Sequence, residues 1–236
     1  MQLQGNGTGE PIADIPFLED GSVDLAAAAA AASAGGGTLA GCRTWYDQTE
    51  RLDANQTVVN NQIPFSDAVM PMGGLGNGSI SNFWHLNLDL GTISFPLFIS
   101  FAVNVPSGSA TRYLMGVETP LSGYVGMTSG RQRMLFGTLL STSPISIGTR
   151  TIGFLANGVN SAVFLDGTSL KTGDSGVLVT DWSNAKIGSR SGASTSNWFT
   201  LANAAISEII VFSCDPTGLA GWSAFVADQK SYFGVP

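Results

Sequence analysis

The segment that decides the fold is Ile206-Ser207-Glu208-Ile209-Ile210-Val211-Phe212. Its first half alternates between apolar and polar side chains, and its second half is continuously apolar. Alternation with a period of two is typical of a half-buried β-strand, and a continuous apolar run is typical of a strand covered on both faces. We therefore predict that this segment is a central strand of a layered β protein.

Turn signals upstream indicate that neighbouring strands are short and antiparallel. Asp166-Gly167 and Asn157-Gly158 each separate two apolar stretches, and such dipeptides favour the tight turns of β-hairpins. The other predicted strands share β-branched and aromatic residues between Gly, Asn, Ser and Pro. They are 41–46, 57–59, 79–84, 97–105, 113–117, 122–128, 133–139, 149–156, 161–165 and 185–187. Strands of this kind predict an all-β sandwich or barrel.

Two short helices complete the predicted fold. An alanine-rich N-terminal helix begins near Asp24, where Asp24 or Ser22 caps the free N–H groups, and it ends at glycines 35–37. A short C-terminal helix follows Asp215-Pro216. Its apolar residues recur at helical spacing: Leu219, Trp222, Phe225 and Val226.

Composition limits the function classes. Only 11% of the residues are charged, there are 30 glycines, and the formal net charge is −7. Nucleic-acid binding requires a basic surface, and so does adsorption to an anionic membrane; we therefore expect no nucleic-acid partner. No apolar run reaches the roughly 18 residues that span a bilayer, so we also expect no membrane insertion.

The chain is predicted to be one domain with an extension. Residues 1–11 form a polar, glycine-rich N-terminal arm, and residues 12–236 form a single sandwich domain. No basic and apolar leader follows Met1, so we expect no signal peptide. For Cys42 and Cys214 two alternatives stay open: two buried thiols in a reducing compartment, which we favour, or a disulfide between an early and a late strand.

Two blocks of sequence carry a family resemblance. The first runs from Ala13-Asp14-Ile15-Pro16-Phe17 through Cys42-Arg43-Thr44-Trp45-Tyr46-Asp47-Gln48 to Asn61-Gln62-Ile63-Pro64. The second contains Asn157-Gly158, Ala185-Lys186-Ile187-Gly188 and the strand 206–212, and ends at Tyr232-Phe233-Gly234. Together they resemble the concanavalin A-like (laminin G-like) domains of bacteria and phages, and the first block is also similar to fungal arabinofuranosidases. The resemblance implies an all-β fold, an antiparallel jelly-roll β-sandwich of the concanavalin A-like type with the two short helices. The loop at 49–53 departs from the family pattern.

The sequence offers no catalytic constellation. A glycosidase needs two carboxylates about 5–9.5 Å apart around one sugar bond. In concanavalin-like glucanases they share a strand as Glu-x-Asp-x-x-Glu, and this chain has no such triplet. The candidate carboxylates are isolated in sequence: Asp47, Asp89, Glu118, Asp166, Asp181 and Glu208. The one histidine, His85, has no partner motif for nucleophilic catalysis. We therefore predict that the chain is not an enzyme.

Ligand and metal sites are predicted in the loops. A sugar is bound by an aromatic ring beside amide groups, which predicts ligand-binding roles for Trp182, Asn184, Asn197, Trp198 and Trp84. The resemblance implies a calcium ion at the sandwich rim, held by oxygen ligands, for which Asp47, Asn60 and Asp181 are the candidates. No other cofactor is expected.

These observations predict a non-enzymatic structural or binding module. The low charge, the polar arm and the resemblance to phage domains favour a virion protein, such as a head decoration, a fibre or a spike, made in the host cytoplasm. Its partners would be other virion proteins or further copies of itself, and it would bind cell-surface glycans. The alternatives are a secreted, extracellular carbohydrate-binding module and an arabinofuranosidase-like glycosidase.

Overall fold

The computed structural model describes residues 1–5, 12–16, 18, 23–34, 40–46, 53–55, 62–66, 74–76, 85–105, 111–117, 123–189 and 205–236. The strands are β1 Gln2–Gly5, β2 Ile12–Asp14, β3 Ala40–Trp45, β4 Ala54–Asn55, β5 Ile63–Ser66, β6 Gly74–Gly76, β7 Leu86–Leu88, β8 Leu97–Val105, β9 Thr111–Val117, β10 Gly123–Thr128, β11 Arg131–Leu135, β12 Leu139–Pro144, β13 Gly148–Ala156, β14 Ser161–Leu165, β15 Thr168–Gly173, β16 Ala185–Ile187 and β17 Ala205–Phe212. The helices are α1 Leu25–Ala34 and α2 Trp222–Phe233.

The strands form two antiparallel sheets. The larger sheet has the order β2-β1-β3-β4-β7-β16-β9-β10-β11-β12. The smaller sheet has the order β6-β17-β8-β13-β14-β15. Strand β5 pairs with β3 of the larger sheet and with β6 of the smaller one. The predicted all-β, antiparallel jelly-roll sandwich with two short helices is confirmed.

The apolar core lies between the two sheets. One set of side chains on β8 enters it, including Ile99, Phe101 and Val103, each at most 1% exposed. Phe101 meets Phe154 of β13 edge to face, with ring centroids 6.1 Å apart. Burying a side chain of this size stabilises the fold by about 1.5–3 kcal/mol. The core therefore explains why the inward positions of both sheets are apolar.

Helix α2 covers the outer face of the smaller sheet. Phe98, on the opposite face of β8 from the core, packs edge to face on Trp222 with centroids 5.3 Å apart. Further along the helix, Gln229 accepts a hydrogen bond from Ser100 at 3.4 Å and donates one to Glu208 of β17. Strand β8 is thus the strand covered on both faces. The predicted central strand, β17, does lie between β6 and β8, but its residues after Ile206 are only partly buried.

The predicted hairpins are present. Asp166 and Gly167 both have positive φ angles, 52° and 81°, and connect β14 to β15. Positive φ at both central residues is the geometry that Asp-Gly supplies. Between β13 and β14, Asn157 precedes a 3-10 turn at Gly158–Asn160, and Gly158 has a φ of 55°. Both strand pairs are antiparallel, as the turn signals predict.

The structure corrects the prediction of a separate N-terminal arm. Residues 2–5 form β1, which pairs with β2 and with β3, and Leu3 is fully buried. The predicted boundary at residue 11 therefore falls between two strands that pair with each other. The sequence pattern did not reveal this strand, because a strand with one polar face contains few apolar residues. Helix α1 starts as predicted, since Asp24 accepts a hydrogen bond from the backbone N–H of Ala27 at 2.9 Å.

The two cysteines are both free thiols. Cys42 is buried in β3, whereas Cys214 is exposed after β17. The alternative of a disulfide between the two cysteines is therefore wrong. The favoured alternative of two buried thiols holds for Cys42 only. None of the described helices is long and apolar enough to cross a membrane.

Candidate functional site

A line of polar side chains crosses the outer face of the larger sheet. Cross-strand pairing joins Thr44 of β3 to Asn55 of β4, Asn55 to Asn87 of β7, and Asn87 to Lys186 of β16. Residues directly opposite one another in an antiparallel pair lie on the same face. Their chain neighbours Ala54, Leu86, Leu88, Ala185 and Ile187 are all buried. We call Thr44, Asn55, Asn87 and Lys186 the outer row.

Lys186 is held in this row by amide groups. Its Nζ atom donates to Asn87 Oδ1 at 2.5 Å and to Asn184 Oδ1 at 2.6 Å. Partial burial lowers the pKa of Lys186 from its usual value. An ammonium group has three N–H donors, and the described residues supply no carboxylate to this one. Among the described residues, one N–H donor and the positive charge of Lys186 therefore have no further partner.

Two tyrosines continue this face beyond Lys186. Gly116 of β9 pairs with Lys186 on one side and with Tyr124 of β10 on the other, and Gly126 pairs with Tyr113. The two rings meet edge to face with centroids 4.8 Å apart. Because the rings are only 7% and 8% exposed, they form a buried aromatic pair rather than an open stacking surface.

A second cation lies on the same face. Arg133 of β11 pairs with Gly126 of β10, while its chain neighbours Gln132 and Met134 are fully buried. The Arg133 Nε atom is itself buried and has no hydrogen-bond partner. A buried donor without a partner costs about 1–3 kcal/mol of stability, and Arg150 Nε of the smaller sheet is in the same state.

The arrangement provides the groups that recognise sugars. One face of the larger sheet carries amide groups, an ammonium group and a guanidinium group. Such polar groups fix the orientation of hydroxyl-rich ligands by hydrogen bonds. Because all of them project from strands rather than loops, their spacing is set by the sheet.

Trp182 is not part of this face. It is fully buried, its ring stacks on Phe136 with centroids 5.3 Å apart, and its Nε1 atom donates to the backbone oxygen of Val179 at 3.2 Å. This corrects the prediction of a ligand-binding ring at this position. A tryptophan in a loop between short strands is here a core residue, because the loop folds over the edge of the sandwich.

Of the other predicted ligand-binding residues, the structure places Asn184 beside the outer row. It is exposed and accepts a hydrogen bond from Lys186. Trp84, Asn197 and Trp198 lie outside the described residues, and so do the predicted metal ligands Asp47 and Asn60.

Asp181, the third predicted calcium ligand, serves a local turn. Its Oδ1 atom accepts hydrogen bonds from the hydroxyl and the backbone N–H of Ser183, at 2.7 and 3.1 Å, and these bonds lower the pKa of the carboxyl group. Within the described ranges, no group of three or more His, Cys, Asp or Glu residues is placed to hold a metal ion. Because Asp47 and Asn60 lie outside the described residues, the calcium site that the resemblance implies stays a prediction.

Sequence reasoning missed the outer row itself. The signal was present locally, since Asn87 stands between Leu86 and Leu88, and Lys186 between Ala185 and Ile187. Alternation shows that such a polar residue faces outward. It does not show which strands are neighbours, and the hydrogen bond from Lys186 to Asn87 joins residues 99 positions apart.

Comparison with known proteins gives fold neighbours only. No protein-family model and no curated protein sequence matches the chain. A Trypanosoma rangeli sialidase in complex with 2,3-difluorosialic acid superposes with a TM-score of 0.52 at 15% identity, over 80% of this chain and 31% of the sialidase. The binding domain of botulinum neurotoxin serotype G gives 0.51 at 15% identity, over 81% of this chain and 51% of that one.

A third neighbour is smaller. The CBM40 of a Ruminococcus gnavus IT-sialidase, bound to α2,3-sialyllactose, gives a TM-score of 0.43 at 15% identity, over 61% of this chain and 92% of that one, which is too low to carry an argument. The reported neighbours with TM-scores above 0.5 are a sialidase and a neurotoxin binding domain, and their fold is consistent with the concanavalin A-like sandwich that the resemblance implies. The chain spans about a third of the sialidase's length.

The prediction that the chain is not an enzyme is contradicted by these neighbours. Several of them are sialidases, which are enzymes that cleave sugar bonds. The reasoning failed because it required a Glu-x-Asp-x-x-Glu triplet on one strand, which is the arrangement of one group of glycosidases only. At this identity and coverage the neighbours show a fold and assign no reaction.

Proposed function

We propose that this chain is a carbohydrate-binding β-sandwich domain whose ligand lies against the outer row. The observation that carries the proposal is the pair of hydrogen bonds that hold Lys186 between Asn87 and Asn184. A lysine that has no acidic partner among the described residues and is held by two amides on a sheet face is positioned to contact a polar ligand.

The fold neighbours support the same class of function. One of them is a sialidase in complex with a sialic-acid derivative, although a likeness at this level extends to fold alone. The sequence-based alternative of a carbohydrate-binding module is therefore preferred to the virion role. Head decoration, fibre or spike, with virion proteins as partners, stays a prediction that adsorption to phage particles would test.

The test is a glycan array that contains neutral and acidic oligosaccharides, followed by titration calorimetry with the best ligand. Asn87→Ala removes one of the two acceptors that position Lys186, and we expect about tenfold weaker binding, which is near 1.4 kcal/mol. Asn160→Ala is the matched control, because Asn160 is an exposed asparagine in the 3-10 turn of the smaller sheet.

Each result has a defined meaning. Binding that is lost with Asn87→Ala and kept with Asn160→Ala supports the site. Equal affinity in both variants places the ligand elsewhere, and an array without any bound glycan refutes the function. Release of free sugar, measured in the same samples, would extend the proposal from binding to a glycosidase.

A further inference from the structure

The outer row continues onto the two strands beyond β3. Thr44 pairs with Gln2 of β1, and Gln2 pairs in turn with Asp14 of β2. Directly opposite residues of antiparallel strands lie on the same face, and the chain neighbours Leu3 and Ile15 are buried. We call the outer row together with Gln2 and Asp14 the extended row.

The extended row is long and open to solvent. It crosses β2, β1, β3, β4, β7 and β16, which at about 4.8 Å per strand makes it roughly 24 Å long. Every member is at least partly exposed, and Asp14 and Asn55 are fully in the exposed class. A ligand can therefore reach the row from one end to the other.

An exposed aromatic ring stands at the Asp14 end of the row. Tyr46 follows Thr44 by two positions, which places both side chains on one face of an extended chain. The Tyr46 hydroxyl donates a hydrogen bond to Asp14 Oδ1 at 2.8 Å, and the residue is 39% exposed. The bond fixes the ring before a ligand arrives, which lowers the entropic cost of binding. An accessible ring beside amide groups is a platform for a sugar.

The polar groups of the row are held in place at both ends. The Thr44 hydroxyl donates to Gln2 Oε1 at 3.2 Å, and Lys186 donates to Asn87 Oδ1 at the other end. These bonds use the oxygen atoms of the two amides. Their N–H groups are donors that suit the hydroxyl groups of a sugar.

The two ends of the row carry opposite charges. Asp14 lies at one end and Lys186 at the other, and the four residues between them are uncharged. Asp53, an exposed residue directly before β4, adds a second negative charge on the Asp14 side. A chain with charges of one sign along its length would meet a like charge at one end, which is unfavourable. The row is therefore suited to an uncharged chain.

We propose that the ligand of the extended row is an uncharged oligosaccharide chain that runs across the strands, with one sugar ring stacked on Tyr46. This inference rests on the proposed carbohydrate-binding function and names its ligand class. The amide groups and Lys186 bind the hydroxyl groups of the remaining sugar units. Because the row is longer than a disaccharide, affinity increases with the number of units until the chain spans it.

The experiment is a chain-length series. Titration calorimetry is run with cello-, xylo-, manno- and malto-oligosaccharides, each as the disaccharide, the tetrasaccharide and the hexasaccharide. A hexasaccharide of galacturonic acid is the charged counterpart, and any other neutral glycan that the array selects is added as its own series. We expect the hexasaccharide of at least one neutral series to bind tenfold or more tightly than its disaccharide, and more tightly than the charged chain.

Variants at the two ends test whether the chain spans the row. Tyr46→Ala and Asn87→Ala should each weaken binding of the hexasaccharide about tenfold, because a spanning chain contacts both ends. A short ligand would lose affinity in one of these variants and not in the other.

Tyr46→Phe is the matched control for the aromatic ring. It keeps the ring and removes the hydrogen bond to Asp14, so its affinity should stay within about threefold of wild type. If the hydroxyl group alone mattered, Tyr46→Phe and Tyr46→Ala would weaken binding equally, and stacking would be wrong. Asn160→Ala again controls for Asn87→Ala, and circular dichroism with thermal unfolding verifies that each variant is folded.

The outcomes separate the two proposals. If glycans bind but affinity does not rise with length, or if charged glycans bind best, the uncharged chain is wrong and the carbohydrate-binding function stands. If no glycan of the array or of the series binds, both proposals fail. If the hexasaccharide binds a folded Tyr46→Ala variant as tightly as wild type, the chain does not reach the Asp14 end of the row.

Discussion

The outer faces of the two sheets of this sandwich are stabilised in opposite ways. On the smaller sheet, Phe98 is 1% exposed because Trp222 of helix α2 packs over it. On the larger sheet, Asn87 and Lys186 occupy equivalent outward positions and bind each other instead of a covering element. A sheet face that is apolar must be covered, whereas a polar face is stable in water and remains available to a ligand. The difference distinguishes the covered, structural face from the polar face that we propose as the functional one.

The largest expected effect tests the structural face. Phe98→Ala removes a ring that contacts Phe164, Phe212 and Trp222, so the free energy of unfolding should fall by about 3–5 kcal/mol. Asn55→Ala, an exposed change in the outer row, should cost less than about 0.5 kcal/mol. Urea denaturation measures both. If the free energy of unfolding fell by similar amounts in the two variants, the distinction between the two faces would be wrong.

The next effect concerns the charge of the functional face. Because burial lowers the pKa of Lys186, its ammonium group loses its proton at a lower pH than that of an exposed lysine. Affinity for a glycan bound at the outer row should therefore fall on the alkaline side by up to about tenfold, because the ammonium group becomes a neutral amine. In Lys186→Arg the affinity should remain level over the same range of pH. A wild-type curve as flat as that of Lys186→Arg argues against contact between Lys186 and the ligand.

A smaller effect is expected beneath helix α2. Burial raises the pKa of Glu208, and the nearby Asp228 adds to the rise against the opposing hydrogen bond from Gln229. A raised pKa in the folded state means that protonation of Glu208 stabilises the fold, and that this stabilisation is lost as pH rises through the folded-state pKa. Glu208→Gln should therefore be more stable than wild type at pH 7, by less than about 1 kcal/mol, and the two should converge in acid. Urea denaturation at several pH values gives this difference, and a difference that is constant with pH would refute the assignment.

The smallest effect distinguishes the two thiols. Burial raises the pKa of Cys42 to about 12, and Cys214 is exposed, so a thiol reagent such as DTNB should modify one cysteine per folded chain. Cys214→Ser should abolish this rapid reaction and change stability by less than about 0.5 kcal/mol. Rapid modification of Cys42 in that variant would show that the core opens readily at β3.

The sequence predicts the smaller sheet better than the larger one. Strand β8 at Leu97–Val105 and strand β14 at Ser161–Leu165 have the predicted bounds, because long apolar strands and tight Asp-Gly turns carry local signals. Strand β1 has no such signal, because Leu3 is its single inward residue with a strong preference for burial. It is held by its pairing with β2 and β3, which no local pattern reveals.

The candidate site shows the same limit. A search for loop aromatics selected Trp182, whose ring proved to be buried against Phe136. The residues of the outer row are individually ordinary, and only the register of four strands brings them into line. Cross-strand sites of this type depend on non-local pairing, so they become visible only when the order of the strands is known.

The double pairing of β5 has a mechanical consequence. Ile63–Ser66 shares backbone hydrogen bonds with both sheets, so the two layers are joined by more than contact between their side chains. Sliding one layer over the other would break these bonds. The sheet that carries the outer row is therefore held in register with the sheet beneath helix α2.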